Sequence, residues 1–370
     1  ITVSMYRQLL RVTSPGFTSP TRVSFGAVAQ IRLESSDSSR IPGKDDKESK
    51  SSKYSRANVR KNVRGYVFTR YFDYLQNYDK VLEKKFPAAM HVYRVFMVGI
   101  KDFYADTKKF LKISRIANTS PAGFKALTRK ELELYYQMPR DMMKVAPVLL
   151  ISALPFANYV IFPLAYMYPR YFLTSHFWNI RQKSDFQQLY LKERITHNRR
   201  IFRYMQAKLE QLRPIEEDFT RMSNILGLLG SGLHPTAQEI LTVRPIFAKA
   251  PYHMGSLSSG HVGALCHLHS VRAGLLKRAR LAERFHIFRH MDRAIKHEGG
   301  VHNMTPDALK HACFLRGLNP TNLSNDHMIE WLRDWVTVSL AVDTDTMSLF
   351  FHLPILIAYN HPNNWRLTHK

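Results

Sequence analysis

Between Lys144 and Arg170 the chain carries no charged residue. As a helix, the 24 residues from Val145 to Tyr168 would be roughly 36 Å long at about 1.5 Å per residue, against a hydrocarbon core of about 30 Å. Pro147, Pro155 and Pro163 interrupt the run, Asn158 sits near its middle and Pro169 follows it. A proline inside a soluble helix costs about 3 kcal/mol. In lipid it is tolerated where neighbouring helices satisfy the freed carbonyls. The run therefore predicts a transmembrane helix over 145–168, kinked at Pro155 and Pro163, with a re-entrant or interfacial segment as the alternative. The only comparable stretch, "MSLFFHLPILIAYN" near the C-terminus, is too short and holds His352 and Pro354, so we expect a core helix there.

The segment before residue 34 has Arg7, Arg11, Arg22 and Arg32, many Ser and Thr, and no acid. That is the composition of a mitochondrial transit peptide, assigned here to 1–40, or of a plain basic tail. Ile1 stands where an initiating Met is expected, so we expect the sequence to begin inside a longer one. Residues 41–65 are polar and cannot bury enough surface to offset chain entropy, which predicts a disordered linker. Helical patterning then opens a pre-membrane region over 66–144. Tyr93, Phe96, Met97, Ile100, Phe103 and Tyr104 follow helical spacing, and Thr128 with Glu131 forms a capping-box pattern.

Beyond the apolar run, 169–370 reads as a helical domain with few strand signals, giving an all-α fold class. The stretch 271–298 is basic and amphipathic. Leu275, Leu276, Ala279, Ala282, Phe285 and Met291 suggest its apolar stripe. Lys277, Arg278, Arg280, Arg284, Arg289 and Arg293 are expected mostly on the outer face. They could follow RNA phosphates or anionic lipid, or simply face solvent. The net charge of +25 favours such acidic partners without choosing among them. Thr305 followed by Pro306, then Gly317, predicts the start and stop of one helix, and Ser324 the cap of the next.

We expect no catalytic residues, cofactor or metal, and no small-molecule substrate is identifiable. Nucleotide-binding, zinc-protease and serine-hydrolase signatures are absent. "GLLGSG" (227–232) lacks a following lysine. "DTDT" (343–346) lacks the glycine and glutamate of a calcium loop. "CHLH" (266–269) and the pair His286/His290 have no standard ligand spacing. Cys266 and Cys313, the only cysteines, cannot build a disulfide framework.

Several stretches occur in an order that resembles the LETM-domain family. They are "GIKDFYADTKKF" (99–110), "LTRKE" (127–131), "PFANYVIFPLAYMYPR" (155–170), "ACFLRGLN" (312–319) and "WLRDWV" (331–336). "SHFW" (175–178) adds to a likeness to the short branch without terminal EF-hands, over about 93–340. Arg316, Gly317, Trp331 and Trp335 lie in these motifs. The resemblance implies a mitochondrial inner-membrane protein with one span and a matrix-facing, ribosome-binding-like helical domain. Outer-membrane placement is the alternative. It also implies a role in mitochondrial structure and respiration, with the mitochondrial ribosome, anionic inner-membrane lipid, and other membrane proteins or self-association as partners. Members linked to cation/proton exchange carry a glutamate where this chain has Asn158. A carboxamide can hydrogen-bond between helices but cannot titrate. We therefore expect an interaction protein rather than an enzyme, with a component of cation/proton exchange as the alternative. Five Lys/Arg in 125–144 and three in 169–188 leave orientation to the resemblance.

Overall fold

A computed structural model describes residues 87–152 and 158–368. Every regular element among the described residues is helical, so the all-α expectation holds for them. The expected transit peptide (1–40), the linker (41–65) and the stretch 66–86 lie outside the described residues. The first two α-helices are α1 (Pro87–Thr119) and α2 (Arg129–Ser152). The short α3 (Asn158–Met167) and α4 (Pro169–Phe172) follow, then α5 (Ile180–Ile195), α6 (Asn198–Leu209) and α7 (Glu216–Gly230). The remainder are α8 (Ala237–Thr242), α9 (Ser259–Leu268), α10 (Lys277–His297), α11 (Pro306–Arg316), α12 (Asn325–Ala341), α13 (Met347–Ala358) and α14 (Pro362–Thr368).

Local chemistry sets the helix ends where the sequence placed them. The Thr128 N–H donates to Glu131 Oε2 at 2.9 Å and the Glu131 N–H returns to Thr128 Oγ1 at 3.4 Å, opening α2 with two orphan donors satisfied. Thr305 is extended and Pro306 takes the first turn of α11, where no N–H is needed. Gly317 stops α11 at φ 100°, a conformation that disfavours a side chain; a Cβ there would also stand 3.3 Å from Pro354. Ser324 Oγ accepts the His327 N–H at the start of α12.

The core centres on α13, buried from Ser348 to Ala358, which bears out the core-helix expectation for this stretch. Phe350 meets Phe285, Phe288 and Trp335 edge-on. Burying each such side chain stabilises the fold by about 1.5–3 kcal/mol. Asn319, from "ACFLRGLN", fixes α14 to this core. Its N–H donates to Asn364 Oδ1 at 2.8 Å, and Asn364 Nδ2 donates to the carbonyls of Gly317 and Ala358.

The uncharged run departs from expectation. α2 ends at Ser152 and α3 begins at Asn158, with 153–157 outside the described residues. Val145 and Ala165 lie in one apolar cluster with Leu173 and Phe177. A single straight helix would set Val145 and Ala165 about 30 Å apart, so the two flanks instead lie side by side. Among the described residues no helix is long and apolar enough to cross a membrane. Pro147 lies inside α2 and Pro163 inside α3, so neither of them ends its helix. The two helices nonetheless carry exposed apolar side chains, among them Leu150, 73% exposed, with Ile151, Leu164, Tyr166 and Met167.

Candidate functional site

The basic helix α10 turns a different face inward from the one expected. Leu275 is 89% exposed and Leu276, at φ 66°, precedes the helix. The apolar stripe is Leu281, Phe285, Phe288, Met291 and Ile295. Arg284 falls on that stripe, because it stands one position before Phe285 and four before Phe288. It is only 3% exposed, which corrects its expected place on the outer face. Its guanidinium lies 4.3 Å from the Phe288 ring centre and 4.7 Å from that of Tyr136 on α2. Arg289 pairs with Asp343 at 3.1 Å, and Arg293 is half-buried.

The basic residues that remain outward gather with α6. Arg278 donates to the carbonyls of Met254 and Leu257 at 3.0 and 2.6 Å. Lys277 donates to Ser259 Oγ at 3.0 Å and Lys208 to the Ser256 carbonyl at 3.3 Å. Arg200 lies against Gly260. Four cations from α6 and the start of α10 thus surround one short stretch, 254–260. None of the four forms an ion pair among the described residues. Arg280 donates to the Arg272 carbonyl beside them. Sequence reasoning missed Arg199, Arg200 and Arg203. Their signal was present in "NRRIFRYM", where the arginines fall opposite Ile201, Phe202 and Met205.

All four motif residues are buried or packed into the core. Arg316, 2% exposed, donates to Asp292 Oδ1 on α10 and to the Ala312 carbonyl. Trp335 Nε1 and Ser339 Oγ donate to the other Asp292 oxygen. Trp331 Nε1 donates to the Ile357 carbonyl at 2.8 Å. Gly317 ends α11 as described. Asp292 was not singled out from the sequence, yet it lies on the stripe between Phe288 and Ile295. An acid at such a position needs a buried partner. The other expected site residues lie in the uncharged run. Asn158 is the first residue of α3, Pro163 lies within it, and Pro155 lies outside the described residues.

A second cluster of charge lies inside. α2, α5, α10 and α11 enclose a cavity of about 360 Å³. Arg140, Lys144, Arg194 and Arg284 reach it, against Glu133 and Asp141. Arg194 is spent on structure, donating to the carbonyls of Leu268, Phe314 and Leu315. Burial pushes its guanidinium down to about 10. Burial pulls Glu133 up, but hydrogen bonds and charge from His311 and Arg129 hold it below its ordinary value. Burial pushes Lys144 down to about 8, with Asp141 opposing, and Arg284 down to about 9, with Arg316 adding to the effect. Asp141 is raised by burial, against the charge of His176. Arg284 Nε and Nη1 and the Tyr136 hydroxyl have no hydrogen-bond partner. Leaving such groups bare typically costs about 1–3 kcal/mol each, more for a charged one.

Comparison with known proteins follows the same lines. A family model described as LETM1-like, RBD matches residues 127–356. The chain is similar to "LETM1 domain-containing protein 1" of Homo sapiens, 31% identical over 307 residues, covering 81% of this chain and 84% of that protein. The Bos taurus protein of that name is 30% identical over 312 residues, with 83% and 85% covered. The Xenopus tropicalis one is 30% identical over 291 residues, with 77% and 82% covered.

Proposed function

Because the chain belongs to the LETM-domain family, we propose that it is a membrane-attached, non-catalytic interaction protein of the mitochondrial inner membrane. Its helical domain faces the matrix and binds the mitochondrial ribosome, supporting mitochondrial structure and respiratory function. One observation carries the ribosome reading. Arg200, Lys208, Lys277 and Arg278 surround 254–260 with no ion-pair partner among the described residues, in a chain of net charge +25. Unpaired cations on one face suit phosphates, whose contact releases counterions and makes binding salt-dependent.

Co-sedimentation with mitochondrial ribosomes at graded salt tests this. We expect Lys277→Glu with Arg278→Glu to weaken binding. Each lost phosphate contact should lower the log–log salt slope by about 0.7–0.9. A slope identical to that of the unmutated protein would count against this face.

Membrane attachment rests on the exposed apolar side chains of α2 and α3. Their side-by-side packing favours the re-entrant alternative over a straight span. In that arrangement both flanks, Arg140 and Arg181, lie on the same side. The protein should then resist carbonate extraction, and Leu150→Arg with Leu164→Arg should release it, since a charge at depth costs about 2.5–3.5 kcal/mol on insertion scales. Cysteines placed at 140 and 181 should react together with a membrane-impermeant thiol reagent. Labelling from opposite sides would restore the single span, and extraction of the unmutated protein would remove the membrane from the reading.

A further inference from the structure

The cavity between α2, α5, α10 and α11 has more cationic groups than its own acids can occupy. Glu133 is engaged by Arg129 at 2.6 Å and faces His311 at 3.4 Å. Asp141 accepts from Gln137 at 3.2 Å. Neither lies within ion-pair distance of Arg140, Lys144 or Arg284 among the described residues. Arg140 donates from Nη2 to the Ser270 carbonyl at 2.7 Å, and its guanidinium lies 4.5 Å from the Tyr136 ring centre. Arg284 shares that ring, so two guanidinium groups are held on one aromatic support. Lys144 Nζ reaches Tyr190 Oη at 3.3 Å and lies 5.0 Å from the Trp178 ring centre.

Arg284 is the decisive group. It lines the cavity, is 3% exposed, and keeps Nε and Nη1 unpartnered. An arginine needed only for packing would be served as well by methionine or leucine, and one needed for structure would find carbonyls, as Arg194 does. Guanidinium N–H groups without a partner can each donate to an oxygen of a phosphate group. The unpartnered Tyr136 hydroxyl adds a further donor. A volume of about 360 Å³ falls at the low end of small-molecule sites, roughly 300–1,000 Å³. The Trp178 and Tyr190 rings give the remainder of such a ligand an apolar wall.

We propose that this cavity binds the phosphate group of a small organic phosphate, with Arg284, Arg140 and Lys144 as its ligands. The phosphate could belong to a soluble ester or to a phospholipid headgroup, since Lys144 directly precedes the uncharged run. The site is separate from the outward face at 254–260 and does not depend on ribosome binding.

The test uses the full chain in detergent, with glycerol 3-phosphate as the soluble probe and vesicles of phosphatidylcholine, alone or with phosphatidic acid, as the lipid probe. Melting temperature and Trp fluorescence are followed at constant ionic strength. Saturable stabilisation by glycerol 3-phosphate assigns the soluble source. Stabilisation only by phosphatidic acid vesicles assigns the lipid source. In either case Arg284→Met, which keeps the aliphatic stem between the rings, should weaken binding at least tenfold, and Arg221→Gln, on an exposed turn of α7 where Arg221 pairs with Glu217, should leave it unchanged. If Arg284→Met does not fold, Lys144→Met must show the same loss. No saturable effect of either probe overturns the proposal. So does binding by Arg284→Met and Lys144→Met equal to that of the unmutated protein, or a loss confined to Arg221→Gln.

Discussion

Asp292→Asn is expected to lower the unfolding free energy by about 3–5 kcal/mol, the usual result of removing one partner from a buried ion pair. Asp292 is fully buried and receives Arg316, Trp335 and Ser339. Asparagine keeps the shape and one acceptor for Trp335 or Ser339, but leaves the Arg316 charge uncompensated in a medium that solvates it poorly. Removing that charge as well should relieve the fault. Asp292→Asn combined with Arg316→Met is expected to recover at least half of the loss. Urea unfolding of the two single variants and the double variant measures this. A single-variant loss below about 1 kcal/mol would mean that the pair behaves like an exposed one. A double variant as unstable as the sum of the singles would mean that the two residues act independently.

Acidification from pH 7.5 to 5.5 is expected to destabilise the folded chain by up to about 4 kcal/mol, from three buried imidazoles. Burial and then the neighbouring His352 push His261 down to about 2. Burial pushes His269 down to about 3 and His352 to about 4, each against a backbone carbonyl that favours its proton. Their ordinary value is 6.5. The folded pKa is depressed, so below 6.5 the unfolded chain binds protons that the folded chain refuses. Stability is therefore complete above about pH 7 and falls as pH drops from 6.5 towards the folded values. Each group contributes up to about 1.4 kcal/mol at one unit below 6.5. His352 Nδ1 lies 2.7 Å from the Ser348 carbonyl, so it is the donor there, and its Nε2 accepts from His261 Nε2 at 2.9 Å. Both rings are neutral in this arrangement. Unfolding midpoints across that pH range provide the measurement, and His352→Gln should flatten the profile by about one third. A midpoint that stays constant or rises on acidification would show that these rings are charged or accessible in the folded chain.

The two predictions concern polar groups that helix patterning treats as surface. Among the described residues, helix existence and ends were legible because their causes are local. Thr128 with Glu131, Pro306, Gly317 and Ser324 each act within one turn. The core assignment of "MSLFFHLPILIAYN" was legible because a dense apolar run admits few other places. The basic helix was legible as a helix but not in its facing. Seven cations over 277–296 hide which one points inward. Arg284 is placed by two rings, and one of them, Tyr136, comes from a distant part of the chain.

What the sequence by itself determined is therefore the all-helical class of the described residues, the caps, the apolar character of 145–168 and the family, since each depends on neighbours in sequence or on motif order. The tertiary structure alone decided the rest. It laid Val145 beside Ala165, brought Arg200 and Lys208 to Lys277 and Arg278, and gave Asp292 its three donors. It also left Arg284 bare towards a cavity built from four helices. These outcomes depend on which helices pack together. Packing is settled by the summed burial of many side chains and by the few polar groups that must find partners once water is excluded.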